Sequence, residues 1–318
     1  MSGANTLMEA VQCYLQERRR LGFSLVAPAT QLRRFAQFAS SRGYEGPITQ
    51  ELQIAWAQEH VQRTSVVTAA RRLEVLRPFI AYYRQFEAAS EMVPTGTLGR
   101  GHRRMTPHIY TDEEIQALLD AASGLMPRGG LRPLMYCTLF GLIAAAGLRL
   151  SEALQLKVCD VNLDEASITV RQTKFRKSRC LPIAASVVAA LQRYQDCRNR
   201  HLDCSAAAPL FTTHNGDILP KRTVENVFER MRLSLHWQAR GDHAHPRIHD
   251  LRHTFAVRRL QRWHEAGVSI EHGIFWLCTY LGHAKISDTY WYLTGVPELM
   301  EWVGSNFERF ACEGGGDE

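Results

Sequence analysis

Lysine is scarce in this sequence: five lysines stand against 33 arginines, and residues 1–110 contain none. None of the eight cysteines belongs to a C-x-x-C pair, which argues against a zinc knuckle or a disulfide framework. The longest apolar stretch, at 134–148, is too short and too Gly-interrupted to span a membrane, and the start lacks a basic segment followed by an apolar run. We therefore expect a cytoplasmic protein with no membrane partner.

The excess positive charge lies in the first third of the chain. Residues 1–110 hold fourteen arginines and eight glutamates, a balance of +6 that equals the net charge of the whole chain. Clusters of this kind bind phosphate backbones. A polyanion partner is one interpretation, and an arginine-rich surface that only keeps the protein in solution is the other.

Apolar residues recur at helical spacing in this basic part, which predicts a helical domain over residues 1–91. In its last helix, Val67 is expected to face the core while Arg71 and Arg72 face outward. Pro, Gly and Thr then accumulate without periodicity, which predicts a linker at 92–108. We expect the helices of this domain near 5–20, 29–41, 49–59 and 65–86.

A second domain is predicted over 109–312, with a disordered tail at 313–318. It opens on a capping box, T-x-x-E, that begins at Thr111. Two strands, "ASITVRQ" and "SRCLPI", flank the loop "TKFRK" and predict a hairpin. The expected fold class is therefore mainly α with a small β-hairpin, in two domains. Further helices are expected at 131–146, 150–156, 184–200, 221–235, 249–266, 271–281, 285–292 and 297–310.

The stretch "HDLRH" at 249–253 concentrates ionisable side chains. It differs by one methylene from the zinc-protease pattern H-E-x-x-H, so a zinc peptidase that uses His249 and His253 is one hypothesis. The fixed charge of Arg252 opposes a divalent cation, and Asp250 is shorter than the glutamate base of that pattern. Histidine with arginine can instead form an anion site, with donors directed at a phosphate or an oxyanion.

Other polar residues lie in turns and loops of the second domain. Arg149 lies in the tight turn between two apolar helices, with Glu152 three residues on and close enough to orient it. Taken alone, this arginine is explained as a helix cap with a surface ion pair. Lys174 and Lys177 lie in the hairpin loop, where an ammonium can give up a proton and a guanidinium in practice cannot.

His283 follows a predicted glycine helix end and precedes Tyr292 by nine residues, with Tyr290 as a rival hydroxyl. Aromatic residues at this spacing usually belong to a core. Taken together, however, two arginines, a lysine, two histidines and a tyrosine match what attack on a phosphodiester requires. The non-bridging oxygens need positive donors, the tyrosine is a nucleophile, and the leaving oxygen needs an acid. This chemistry requires no metal and no other cofactor.

Four sequence boxes, in this order, resemble those of the tyrosine recombinases, or phage integrase family. "GLRLSEAL" resembles the first arginine box, "TKFRKSRCLPI" the hairpin lysine, "HDLRHTFA" the H-x-x-R-H box, and "LGHAKISDTYWYL" the histidine followed by the nucleophile. The resemblance in motif covers roughly residues 110–310. The earlier helices are similar to the core-binding domain of the family in architecture and position.

The resemblance implies a nucleophile and an anion clamp. Tyr292 would attack a DNA phosphate and leave a 3′-phosphotyrosine and a free 5′-hydroxyl. Tyr292 is preferred to Tyr290 on spacing. Arg149 and Arg252 would clamp the phosphoryl oxygens during that attack.

The resemblance also implies roles in proton transfer and support. His249 and His283 would donate to the phosphorane or handle the proton of the nucleophile. Lys174 would be the general acid for the 5′ oxygen, and is preferred to Lys177 because it takes the first-lysine place in the hairpin. Glu152 would hold the site through contacts to its arginines.

The implied partner is double-stranded DNA, held in a C-shaped clamp formed by the two domains. Arg71, Arg72 and Lys177 are the candidate DNA contacts. A homo-oligomer, a tetramer on paired sites, or companion recombinases would complete the assembly, which would integrate, excise or transpose a mobile element at the nucleoid. Two alternatives remain: a DNA-binding protein of this fold without catalysis, and the zinc peptidase centred on His249 and His253.

Overall fold

The chain divides into two compact units, Met1–Arg104 and Met105–Glu318, and the division falls inside the predicted linker. The hairpin loop with Lys174 and Lys177 lies outside the described residues, as do the predicted helix at 297–310 and the tail. The computed structural model describes residues 7–59, 65–101, 105–171, 178–202 and 205–294.

Four helices build the core of the first unit. Thr49 begins the third of them, because its hydroxyl accepts a hydrogen bond from the backbone N–H of Leu52 at 3.3 Å. Val67 is 39% exposed, so the prediction that it faces the core is wrong. It lies in the first turn of its helix, and the inward positions there belong to Ala69 and Ala70. The helices are α1 (Leu7–Arg20), α2 (Val26–Ser41), α3 (Gln50–Gln58) and α4 (Val66–Tyr83).

The second unit is also mainly helical. Its first helix opens on the predicted capping box: Thr111 Oγ1 accepts from the N–H of Glu114, and Glu114 Oε2 accepts from the N–H of Thr111. The helices of this unit are α5 (Asp112–Ser123), α6 (Leu131–Ala146), α7 (Leu150–Leu154), α8 (Ala185–Asn199), α9 (Lys221–Leu235), α10 (Ile248–Glu265), α11 (Ile270–Leu281) and α12 (Ser287–Thr294).

A small antiparallel sheet, in the order β1-β2-β3, follows α7. The predicted hairpin is confirmed as β2 (Ser167–Val170) and β3 (Arg179–Pro182), paired so that Val170 lies opposite Arg179. A third strand, β1 (Val161–Asn162), was not expected, since two residues are too few to produce an alternating pattern. The fold class, mainly helical with a small sheet, is confirmed. No helix among the described residues is long and apolar enough to cross a membrane.

Two apolar clusters hold the second unit together. The larger packs around α6, which is buried on most of its surface. The smaller is formed by α10, α11 and α12 and contains Tyr292. Gly147 ends α6 with a positive φ of 62°, and a Cβ at this position would collide with the Phe255 ring of α10. Glycine therefore lets the turn between α6 and α7 lie against α10, where the polar residues of the two elements meet.

Candidate active site

Arg149 and Glu152 are joined by two hydrogen bonds in the turn that begins α7. The backbone N–H of Arg149 donates to Glu152 Oε2 at 2.9 Å, and its Nη1 donates to Oε1 at 2.7 Å. Glu152 is 7% exposed, whereas the Arg149 side chain is 30% exposed. One carboxylate thus closes the first turn of the helix and orients a guanidinium that still reaches solvent.

Arg252, in the second turn of α10, is fixed by two backbone carbonyls. Its side chain is 1% exposed, Nη1 donates to the carbonyl of Gly147 at 2.7 Å, and Nη2 donates to the carbonyl of Leu281 at 2.9 Å. These carbonyls stand at the C-terminal ends of α6 and α11, where the helix dipole is negative. Burial, and then the charge of Arg149, lowers the pKa of Arg252 to about 10. The group therefore remains charged at neutral pH.

Arg179, the first residue of β3, is a third guanidinium at the same carboxylate. Its Nη2 donates to Glu152 Oε2 at 2.9 Å and its Nη1 to Oε1 at 3.3 Å, while Nη1 of Arg252 lies 3.6 Å from Oε2. Burial raises the pKa of Glu152, but the bonds from Arg179 and from the N–H of Arg149 outweigh it and set a pKa of about 2. Sequence reasoning missed Arg179, and the only available signal was a charged residue at the start of a predicted strand.

His283 lies beside Arg252, just beyond the end of α11. Its Nε2 is 3.2 Å from Arg252 Nη2, and its Nδ1 is 2.8 Å from the hydroxyl oxygen of Thr289. Burial, and then the charges of Arg252 and Arg149, lowers the pKa of His283 to about 4. The imidazole is therefore neutral at pH 7.

Tyr292 is buried at this site and Tyr290 is not. The Tyr292 side chain is 3% exposed, and its ring is stacked on that of His283, with centroids 6.0 Å apart and an interplanar angle of 17°. Burial raises the pKa of the Tyr292 hydroxyl, and the charge and hydrogen bond of Arg252 oppose that rise. Tyr290 is 43% exposed. The structure thus brings Tyr292 together with Arg252 and His283.

The zinc-peptidase hypothesis does not fit the arrangement of the "HDLRH" residues. His249 is exposed and meets the edge of the His253 ring at 4.7 Å, whereas His253 is 8% exposed and packs on Tyr292. Asp250 is fully buried and accepts hydrogen bonds from the backbone and side chain of Arg247, so it cannot act as a solvent-accessible base. Among the described residues, no three His, Cys, Asp or Glu side chains are placed to hold a metal ion.

The two predicted DNA contacts of the first unit bind its own backbone. Arg72 is half-buried, contrary to expectation, and its Nη1 donates to the carbonyls of Glu59 at 2.8 Å and of Trp56 and Ala57 at 3.3 Å each. Arg71 is exposed as expected, and its Nε donates to the carbonyl of residue 101 at 2.7 Å. The other predicted DNA contact, Lys177, lies outside the described residues together with Lys174.

Comparison with known proteins identifies the family. The sequence model of the phage integrase family matches residues 109–296. The protein y4rB of Sinorhizobium fredii, described as an integrase/recombinase, is 40% identical over 309 residues, which cover 96% of this chain and 98% of that one. The tyrosine recombinase XerC of Pelobacter propionicus is 26% identical over 93% of this chain and 94% of its own. The chain therefore belongs to the phage integrase family of tyrosine recombinases, which are DNA strand-exchange enzymes.

Solved structures show the same fold. The Tn1549 transposon integrase in complex with transposon right end DNA matches with a TM-score of 0.68 and 18% identity, over 95% of this chain and 99% of that one. The XerH site-specific recombinase bound to palindromic difH substrate, in a post-cleavage complex, matches with a TM-score of 0.67 and 18% identity, over 94% of this chain and 84% of that one. Likeness at this level of identity concerns the fold alone.

Proposed function

We propose that this chain is a site-specific recombinase that cleaves and rejoins double-stranded DNA through a 3′-phosphotyrosine at Tyr292. One observation carries the proposal: Arg149, Arg252 and His283 meet Tyr292 around the buried carboxylate of Glu152. Three guanidinium groups, including that of Arg179, face this one carboxylate, so the cluster keeps a positive charge of two after pairing. A phosphate diester supplies a compensating negative charge.

The cleavage step balances within the protein and its DNA. The Tyr292 oxygen forms a bond to phosphorus while the bond from phosphorus to the 5′ oxygen breaks, and the covalent link conserves the energy for rejoining. The phenolic proton goes to a neutral imidazole, that of His283 or His249, and Lys174 gives a proton to the 5′ oxygen. Lys177 is the alternative acid. No cofactor takes part.

The two arginines bind the non-bridging oxygens of the scissile phosphate. Arg252 is preorganised, because backbone carbonyls already hold its guanidinium in place, and groups that do not have to reorient stabilise developing charge at low cost. Arg149 is the more exposed of the two and is aimed by Glu152. His249, exposed at the start of α10, is a further donor toward the phosphorane.

Assembly and cellular role follow from the same proposal. Arg71 and Lys177 contact the phosphate backbone, whereas the guanidinium of Arg72 supports the end of α3. A homo-oligomer, a tetramer on paired sites, or companion recombinases exchange the strands. The substrate sites lie in a mobile element that is integrated, excised or transposed, and the protein acts in the cytoplasm at the nucleoid. The similarity to y4rB over nearly the whole of both chains supports this class of role.

A trapping experiment tests the nucleophile. The purified full chain is incubated with nicked, labelled duplex DNA from the ends of the element or locus around its gene, quenched with detergent in the presence of a chelator, and examined for a slow-migrating covalent species. We expect the adduct with wild type and with Tyr290→Phe, and none with Tyr292→Phe. Loss with Tyr290→Phe alone overturns the assignment of Tyr292.

Two further outcomes separate the alternatives. DNA retention by wild type without any adduct would indicate a binding protein of this fold without catalysis. A peptidase activity of the wild type that disappears when a chelator is added before the reaction would indicate the metal-dependent alternative centred on His249 and His253, because phosphotyrosine formation needs no metal.

A further inference from the structure

The proton of the His283 ring can be placed from its two hydrogen-bond partners. Nε2 lies 3.2 Å from Nη2 of Arg252, and Nδ1 lies 2.8 Å from Oγ1 of Thr289. A guanidinium only donates, so Nε2 is the acceptor and carries no proton. The proton of the neutral ring is therefore on Nδ1, which donates it to the Thr289 hydroxyl.

Thr289 belongs to the helix that carries Tyr292. It is 0% exposed and lies three residues before Tyr292 in α12, so the two side chains share a helix face. His283 is held at the end of α11, where its backbone N–H donates to the carbonyl of Cys278 at 3.0 Å. The bond between Thr289 and His283 therefore fastens the end of α11 to α12, at the ring that is stacked on Tyr292.

Charged groups from each adjoining element face the same ring. After burial, the charges of Arg252 from α10, Arg149 from the turn before α7 and Arg179 from β3 lower the pKa of His283, and Asp288 of α12 raises it. The Tyr292 hydroxyl is the other titratable group of α12 beside the ring. Thr289 carries no charge, and its hydroxyl can donate or accept, so its contribution is to orient the ring, while the donor of Arg252 sets the tautomer.

We propose that Thr289 is a positioning residue for strand cleavage: its hydroxyl accepts from Nδ1 and so orients the ring of His283, with Nε2 available as an acceptor. This inference rests on the proposed function. When a DNA phosphate takes up the donors of Arg252, Nε2 accepts the Tyr292 proton as the phenolic oxygen bonds to phosphorus and the bond to the 5′ oxygen breaks. The 5′ oxygen receives its proton from the general acid. Without the hydroxyl of Thr289, the Nδ1–H group loses its acceptor, and the ring is no longer held with Nε2 directed at the site.

The tautomer can be measured directly and without DNA. Long-range ¹H–¹⁵N spectra of the full chain, labelled with ¹⁵N-histidine at pH 7, report which ring nitrogen is protonated, and His283→Asn identifies the signal. We expect the proton on Nδ1 in wild type and in Thr289→Ser, and in Thr289→Val the loss of the hydrogen bond of Nδ1, seen as an upfield shift or disappearance of its proton signal. The matched control is Thr212→Val, because Thr212 is also buried but its hydroxyl has no hydrogen-bond partner in the described structure.

Cleavage of the nicked DNA substrate tests the role in the reaction. Thr289→Val should lower the single-turnover rate of adduct formation about tenfold and alter its dependence on pH, while DNA affinity stays unchanged. Thr289→Ser should restore most of the rate, and Thr212→Val should match wild type. A merely structural loss would instead lower affinity and rate together and leave the pH profile in place.

Several results would overturn the inference. A wild-type His283 protonated on Nε2 would overturn it whether or not any variant folds. A Thr289→Val protein with an unchanged Nδ1 proton signal or an unchanged cleavage rate would also overturn it. Absence of a covalent adduct with wild type on every substrate counts against the proposed function only, because the tautomer spectra still decide whether Thr289 positions His283.

Discussion

Two pairs of arginines, one pair in each unit of this chain, have different partners. In the first unit, Arg72 and Arg77 donate to backbone carbonyls, the latter to that of Val93 at 2.6 Å. In the second unit, Arg149 and Arg179 converge on one buried carboxylate. The first unit carries the whole net charge, yet the cluster suited to a single phosphate lies in the unit whose charges balance. Net charge therefore indicates a polyanion partner, and only the arrangement of donors indicates where one phosphate is held.

The difference has an electrostatic cause. A carbonyl satisfies the donors of an arginine and leaves its full charge in place, so such an arginine contributes to the long-range field of its unit. A carboxylate removes one charge and fixes the geometry of the groups around it. Glu152 does this for three guanidinium groups at once, and it is the residue on which the second arrangement depends.

Glu152→Gln should have the largest effect, because it leaves three guanidinium groups around a neutral amide. Removing one partner of a buried ion pair costs about 3–5 kcal/mol, and we expect a loss of that order in the second unit together with loss of DNA cleavage. Hydrogen exchange resolved by peptide should show the loss in α7 and β3 and none in α1 to α4.

A control separates this effect from removal of any acidic residue. Glu229→Gln removes a carboxylate that is 58% exposed and lies 3.9 Å from Arg232, and it should change stability by less than about 0.5 kcal/mol. If Glu152→Gln is as mild as Glu229→Gln, the carboxylate does not organise the arginines and the contrast between the two units fails.

As the pH falls below 6.5, the second unit should lose stability at a higher pH than the first unit. Burial, and then the charge of His249, lowers the pKa of His253 in the folded chain to about 2, from 6.5 without these surroundings. The unfolded chain then binds the proton more readily, so the stability from neutral His253 is present above pH 6.5 and is lost as the pH falls below it. At pH 5 the loss is about 2 kcal/mol for this residue. The first unit has two histidines, His60 and His102, and both lie outside the described residues.

Hydrogen exchange of α10 at pH 7 and pH 5, corrected for intrinsic exchange rates, measures this loss. His253→Gln should flatten the dependence between pH 6.5 and 5, while α2 and α4 should show little change over this range in either protein. Equal acid sensitivity of the two units, or an unchanged slope in His253→Gln, would contradict the assignment.

Contacts between residues close together in the sequence could be predicted, and contacts between separate elements could not. The capping box at Thr111 and the pairing of Arg149 with Glu152 are local, and their spacing was sufficient to anticipate the contacts found. Arg179 and Thr289 were missed, because their roles arise only when β3 meets α7 and when α12 meets the end of α11.

The exposure of Arg72 was wrongly predicted for the same reason. Its helix phase did place it near the surface, but the end of α3 supplies three carbonyls that cover its guanidinium. Helical periodicity describes one element at a time and contains no information on the neighbour that packs against it.

The smallest effects are expected in the first unit. There, substitution of Arg72 should lower the stability more than substitution of Arg71. Arg72→Ala removes the donor to three carbonyls and should destabilise α3 by about 1.5–3 kcal/mol, measurable by hydrogen exchange. Arg71→Ala removes an exposed side chain with one backbone bond, so it should cost at most about 1 kcal/mol.

DNA binding then decides whether Arg71 also acts as a phosphate contact. If it does, Arg71→Ala should lower the slope of log affinity against log salt by about 0.9, the value for one phosphate contact, at every DNA sequence tested. Arg84→Ala removes an exposed charge at the end of the same helix and is the matched control. An unchanged slope in Arg71→Ala would mean that this arginine, like Arg72, serves mainly the backbone of its own unit, and that the phosphate contacts lie on other residues.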